Sequence, residues 1–237
     1  MAGDSRTNLS IVDPTSGEQT EINERGPNVA AVDLERFTER LLYLAGGADF
    51  CVIAGSLPPG AEADQYAALI AGLRATGVPT LLDTDGEPMR VGLRAQPSVV
   101  VPNVAEAEEA VGYEFTEPGD LVSAVDSLVG MGAEEAIVTT PSGCVAFVGE
   151  GNARTHYEAS IEPLATVASV GSGDAFLAGF VAGRRAGRPV EDCLAYGVAC
   201  GAESTQHLGA GTIDGVEAAK LTDRVSVERL NAPLRVA

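Results

Sequence analysis

The sequence predicts an α/β fold, a mostly parallel sheet with helices on both sides. Two observations carry this. Short apolar runs bounded by turn residues alternate with segments whose apolar residues recur at helical spacing. The runs are continuous rather than alternating, as in strands covered on both faces. No linker-like stretch interrupts residues 27–221. One domain is therefore expected over residues 1–237, with a hairpin over 1–27 at its N-terminal edge.

Asn8–Asp13 and Gln19–Asn23 read as two strands joined by a tight turn at Pro14, Thr15, Ser16 and Gly17. Both are half polar, as for a hairpin with one wet face. From Val32, the residues Leu34, Phe37, Leu41, Leu42 and Leu44 trace a helix stripe that ends at Gly46-Gly47. The run FCVIAG at 50–55 reads as a strand buried on both faces. A helix over 62–75 then precedes strand Thr80–Asp83, and a short helix over 87–94 precedes SVVVP at 98–102. Helices over 104–112 and 118–131 lead to Ala136–Thr140. CVAFV at 144–148 and Thr155–Ser160 are expected as antiparallel additions, before helices over 173–186, 189–206 and 213–221.

Composition narrows the function. The 237 residues are 45% hydrophobic, enough for a real core, and carry 34 acidic against 15 basic side chains, a net charge of −19. Such a surface repels nucleic-acid backbones and anionic lipid, so neither is expected as a partner. Cys51, Cys144, Cys193 and Cys200 form no CxxC and read as buried reduced thiols. The opening MAGDSRTNLSIV has no basic stretch leading into an apolar one, and no run approaches membrane-span length. A cytoplasmic location is the expectation. His156 and His207 lack ligand-spaced partners, so no direct metal ligand is assigned.

Val170–Phe180 (VGSGDAFLAGF) is the strongest local signal. Gly171 and Gly173 flank Ser172 just before an apolar helix, which aims backbone N–H groups at one small volume suited to anionic oxygens. Asp174 falls in the first helical turn, where it could orient and deprotonate a hydroxyl during phosphoryl transfer. The same residues also suit a capped Gly-rich turn. GxxxxGK[ST] is absent, which excludes a Walker-type loop. Asn103 and Glu106 fit a capping box, or a place at the ligand edge of the sheet where Glu106 holds hydrated Mg²⁺. Ser56 in Gly55–Gly60 (GSLPPG) is a ligand contact or a turn residue, and Arg6 and Asn8 are phosphate-binding or solvated. Gly209–Gly211 can lie flat against a base with His207 nearby, or form a plain helix C-cap.

Taken in order, SRTN with TEINERGP, GSLPPG, DTDGEPM, PNVAE, SVGSGDAFLAGF and GVACGAESTQ…GAGT resemble the ribokinase-like sugar kinases, nearest the phosphofructokinase-B branch of 1-phosphofructokinases and tagatose-6-phosphate kinases. The resemblance runs from about Arg6 to Thr212. It implies a three-layer α/β/α domain with a small β lid and ATP-dependent phosphorylation of a sugar phosphate, foremost fructose 1-phosphate. It makes Asp174 the catalytic base and Gly171, Ser172 and Gly173 the anion hole. Asn103 and Glu106 would act near ATP and Mg²⁺, the Thr139–Gly143 turn with Ser142 near the nucleotide, and Gly209, Ala210 and Gly211 with His207 near adenine. Arg6, Asn8 and Ser56 would meet the sugar phosphate.

Three departures stand out. TTPSG at 139–143 is one residue shorter than the family's SLGxxG turn, and Val101 replaces the lysine of KPN. Family members also open with a strand and a GG-rich, sugar-binding stretch that has no counterpart here. The expectation is a chain that starts partway into the pattern, with part of the inner sheet and most of the lid missing and apolar strand surface uncovered. A nucleotide-binding module without catalysis is the alternative, or a kinase for another sugar phosphate, a sugar or a nucleoside. A homodimer stays open.

Overall fold

The computed structural model describes residues 4–13, 19–149 and 151–230, so the turn at 14–17 lies outside it. Strands β1 (Asn8–Val12) and β2 (Gln19–Asn23) pair antiparallel, with Leu9 opposite Ile22 and Ile11 opposite Thr20. Helix α1 (Ala31–Ala45) leads into a seven-stranded sheet. Its parallel half is β3 (Cys51–Ala54), β4 (Thr80–Asp83), β5 (Val99–Val100) and β6 (Glu135–Thr140). Helices α2 (Gln65–Ala75), α3 (Gly86–Arg94), α4 (Val104–Val111) and α5 (Pro118–Met131) lie between these strands in sequence. The antiparallel half adds β7 (Gly143–Val148), β8 (Thr155–Ser160) and β9 (Ser226–Leu230). Between β8 and β9 the chain forms α6 (Ser172–Arg185), α7 (Val190–Ser204) and α8 (Gly215–Leu221).

Strand alternation sorts the side chains into two cores. Ile53, Leu82, Val100, Ala136 and Val138 face one side and pack with Ile70, Leu73, Met89, Leu93 and Leu128 of the crossover helices. Leu81, Val99, Val101 and Ile137 face the other and pack with Phe176 and Phe180 of α6 and Leu194 and Val198 of α7. The sheet is thus sandwiched between two helix layers. Helices α6 and α7 approach closely, since a Cβ on Gly179 would stand 2.8 Å from Cys200 Sγ. Cys144, Cys193 and Cys200 are buried free thiols, and burial pushes the Cys144 thiol up to about 12.

Several expectations change. The strand at 50–55 is covered on one face only. It is the sheet edge, with Ile53 buried while Val52 is 44% exposed on the α6 side. The hairpin has two wet faces rather than one, because Leu9, Ile11 and Ile22 are each half exposed. In α1 only part of the expected stripe packs inward: Leu41 and Leu42 meet the core, while Phe37 and Leu44 face solvent. The run at 98–102 yields a strand of two residues. Strand β9 was not expected at all. Its sequence, SVERL, carries too little apolar pattern to stand out, and it forms by pairing along β8.

Candidate active site

The parallel strands end along one edge, and the residues singled out in the sequence cluster there. β3 runs into Gly55, whose carbonyl accepts hydrogen bonds from Tyr66 Oη and Thr84 Oγ1, both at 2.9 Å. The Gly55 amide donates to the Asp83 carbonyl at 2.9 Å, so the GSLPPG loop is tied to the end of β4. Ser56 projects from this loop and its Oγ accepts from Arg6 Nη1 at 3.2 Å. Arg6, Ser56 and Arg25 line one open cavity, a cationic fork of the kind that suits a phosphate. Asn8 stands at the base of β1, opposite Asn23, and is not among that cavity's lining.

After β5 the chain enters α4 through Asn103. Asn103 Oδ1 accepts from Glu106 N at 3.0 Å, and Glu106 Oε2 accepts from Asn103 N at 2.9 Å. This reciprocal box fixes the Glu106 carboxyl at the strand edge. A bridge between Asn103 and Thr139 ties the same corner to β6. Asp83, Asn103, Glu106, Thr139, Gly173 and Asp174 line a cavity of about 210 Å³. Burial pushes the Asp83 carboxyl up to about 7, aided by the negative charges of Glu106 and Asp174. Burial also raises Glu106, against the lowering effect of its hydrogen bonds with Asn103. Three acids repelling one another across a cavity suit a cation held between them. Among the described residues no group of three or more His, Cys, Asp or Glu could ligate a metal directly. The residues therefore fit a Mg²⁺ that keeps much of its water shell, the usual state of that ion.

Helix α6 opens on the far side of the cavity. Its N-cap is Gly171, at φ 79°, and no side chain caps the helix. Ser172 N donates to the Ser169 carbonyl at 3.2 Å, and Gly171, Gly173 and Asp174 of this helix start line the cavity at the positive end of the helix dipole. Only glycine fits at 171, since a Cβ there would lie 2.2 Å from the Gly211 nitrogen. A second cavity, of about 220 Å³, lies beside the first and shares Thr139 and Gly173 with it. Ser142, Gly143, Ser172 and Gly201 also line it, which joins the 139–143 turn to the glycine-flanked turn.

Other expected residues lie outside these two cavities. Gly211 N donates to Val170 O at 3.3 Å, so the Gly209–Gly211 loop packs against the back of the Gly171 turn. His207 Nε2 is engaged by Glu203 Oε1 at 2.6 Å. Asp83 was missed as a site residue. DTDG at 83–86 places it at a strand end before a Gly turn, but its meeting with Glu106 and Asp174 exists only in three dimensions.

A family model described as pfkB family carbohydrate kinase matches residues 1–217. The 1-phosphofructokinase of Bacillus subtilis (strain 168) is 31% identical over 231 residues, which is 97% of this chain and 73% of that protein. The 1-phosphofructokinase of Borreliella burgdorferi is 30% identical over 198 residues, 84% of this chain and 62% of that protein. The chain thus spans between about three fifths and three quarters of the length of these relatives. Among solved structures, Escherichia coli phosphofructokinase-2 in complex with potassium superposes with a TM-score of 0.82 at 26% identity, covering 91% of this chain and 69% of that one. The glycine-flanked turn opening α6, the acid cluster facing it and these matches agree, and the chain belongs to the pfkB family of carbohydrate kinases.

Proposed function

We propose that this chain carries the phosphoryl-transfer machinery of an ATP-dependent sugar phosphate kinase, with fructose 1-phosphate as the foremost acceptor. One observation carries the reading: a carboxylate in the first turn of an uncapped helix faces the same 210 Å³ cavity as the amides beside it. Asp174 accepts the proton of the acceptor hydroxyl as its oxygen attacks the γ-phosphorus, and the bond to ADP breaks. The amides of Gly171, Gly173 and Asp174 take up negative charge on the transferring group. Asp83 and Glu106 would hold the water shell of a Mg²⁺, which would supply charge neutralisation at the nucleotide phosphates. Arg6 and Ser56 hold the phosphate already on the sugar. The relatives named 1-phosphofructokinase support the acceptor, and the free thiols suit a cytoplasmic location. A homodimer belongs to the same reading and is checked by light scattering.

The test is a coupled ADP-release assay with ATP, Mg²⁺ and fructose 1-phosphate. Asp174→Asn should lower kcat by at least about a thousandfold while nucleotide affinity holds, in line with loss of a positioned base together with its charge. Ordinary turnover in that variant overturns the assignment. Nucleotide binding with no turnover on any hexose phosphate favours a binding module instead.

A further inference from the structure

Glu203 is a buried carboxylate in the last turn of α7, 3% exposed, outside both cavity linings and unused by the mechanism above. A buried acid in a helix this apolar is costly unless its oxygens are satisfied. Here they are, by the two stems of one loop. Oε1 meets His207 Nε2 at 2.6 Å on the outgoing side, and Oε2 accepts from Asp214 N at 2.9 Å on the returning side. Asp214 in turn caps α8, its Oδ1 accepting from Val216 N at 2.8 Å. Between the stems lies Leu208–Ile213, the segment whose Gly211 nitrogen reaches Val170 O and leaves no room for a Cβ on Gly171.

We infer that Glu203 is a positioning residue for nucleotide binding: its carboxylate staples the 207 and 214 stems together and so presses Gly211 against the turn that opens α6. This rests on the proposed reading of that turn and loop as the nucleotide side of the site. The bond from Gly211 to Val170 is long at 3.3 Å and cannot hold the loop alone. A side-chain staple across the loop base limits the conformations open to its small residues. Releasing it should loosen the Gly171 turn and with it the aim of the amides.

The experiment compares Glu203→Ala, Glu203→Gln and His207→Ala with the unaltered chain. The readouts are titration calorimetry with Mg²⁺ and a non-hydrolysable ATP analogue, and amide hydrogen exchange. Glu203→Ala should raise the Kd at least about tenfold and speed exchange over 208–213 by a similar factor, with β4–β6 amides unchanged. Glu203→Gln keeps an acceptor for Asp214 N and a polar group toward His207, and should recover most of the loss. In turnover, KM for ATP should rise while KM for the sugar phosphate stays constant, a split that general destabilisation does not produce. Kd within about twofold and unchanged loop exchange in Glu203→Ala overturn the inference. Should that variant not fold, unchanged exchange over 208–213 in His207→Ala overturns it equally. If the unaltered chain binds no nucleotide, the proposed function fails, and the exchange data still decide whether Glu203 staples the loop.

Discussion

Replacing Asp83 by asparagine should make the protein more stable in mild alkali and change little in mild acid. Burial, then the charges of Glu106 and Asp174, hold this carboxyl at about 7 in the folded chain against 3.8 for the ordinary group. On raising pH the unfolded chain therefore sheds the proton first. The stability that protonation lends is complete below about pH 3.8, falls through the interval up to about 7, and is gone above it. Each pH unit inside that interval costs about 1.4 kcal/mol, so moving from about pH 5 to above 7 removes about 2.7 kcal/mol. Asp83 is only partly buried, and solvent at its open side lowers the expectation to about 2 kcal/mol. Urea unfolding followed by circular dichroism at about pH 5 and about pH 8.5, in both proteins, isolates this contribution from the general effect of the acidic surface. Millimolar Mg²⁺ should shrink the difference, because a cation beside the cluster favours the ionised carboxyl. Equal pH dependence in the two proteins without Mg²⁺ would refute the account of three acids crowding one cavity.

The remaining expectations concern single side chains. Arg6→Ala should raise KM for a phosphorylated sugar about tenfold or more and leave KM for ATP unchanged, the loss of a charge-assisted hydrogen bond; steady-state kinetics with each substrate varied checks it. Gly171→Ala forces a Cβ to within 2.2 Å of the Gly211 nitrogen at a φ of 79° and should abolish nucleotide binding by calorimetry, with a fall in stability of about 2 kcal/mol or more. Arg184→Ala removes the closest partner of buried Glu135, whose Oε2 lies 2.5 Å from Arg184 Nη2, but leaves it the Gly149 amide at 3.0 Å and the charge of Arg154, and should cost about 1.5–3 kcal/mol in urea unfolding without altering either KM.

Much of the parallel half was legible because buried parallel strands leave unbroken apolar runs. TLLD and SVVVP announced their places, and Gly46-Gly47 announced where α1 stops. What escaped was decided by neighbours distant in sequence. The run CVIA is apolar enough for a central strand, yet Val52 faces solvent because its strand lies at the sheet edge. Phe37 and Leu44 fit the helix period of α1 but point away from the core, since periodicity fixes a face and not what covers it. SVERL becomes a strand only by hydrogen-bonding along β8. In the candidate site, Asp174 and the glycines beside it stand out by local spacing, which leaves a capped turn and an anion site both open until the wider resemblance is added. Asp83 and Glu203 do not, because their significance lies in partners 23 to 91 positions away in one case and in a loop closed by folding in the other.

Capping and ligand binding compete as readings of the same residues in sequence, and the structure separates them by comparing two helix starts on one sheet edge. At α4 the Asn103–Glu106 box occupies the amides of both box residues, so that helix start is capped by its own side chains. At α6 the cap is a glycine with no side chain to offer; the Ser172 amide donates to the Ser169 carbonyl at 3.2 Å, while Gly171, Gly173 and Asp174 line the cavity at the positive end of the helix dipole. An anion entering that cavity finds its binding groups at α6 and a carboxylate at α4. On the proposed function, the transferred phosphoryl would lie against the first turn of α6, with a cation between it and Glu106. A helix start capped by its own residues would have served folding equally well. With glycine as its cap, α6 forgoes only a few tenths of a kcal/mol (~0.3) against a side-chain cap, a small cost beside that of placing any Cβ at 171.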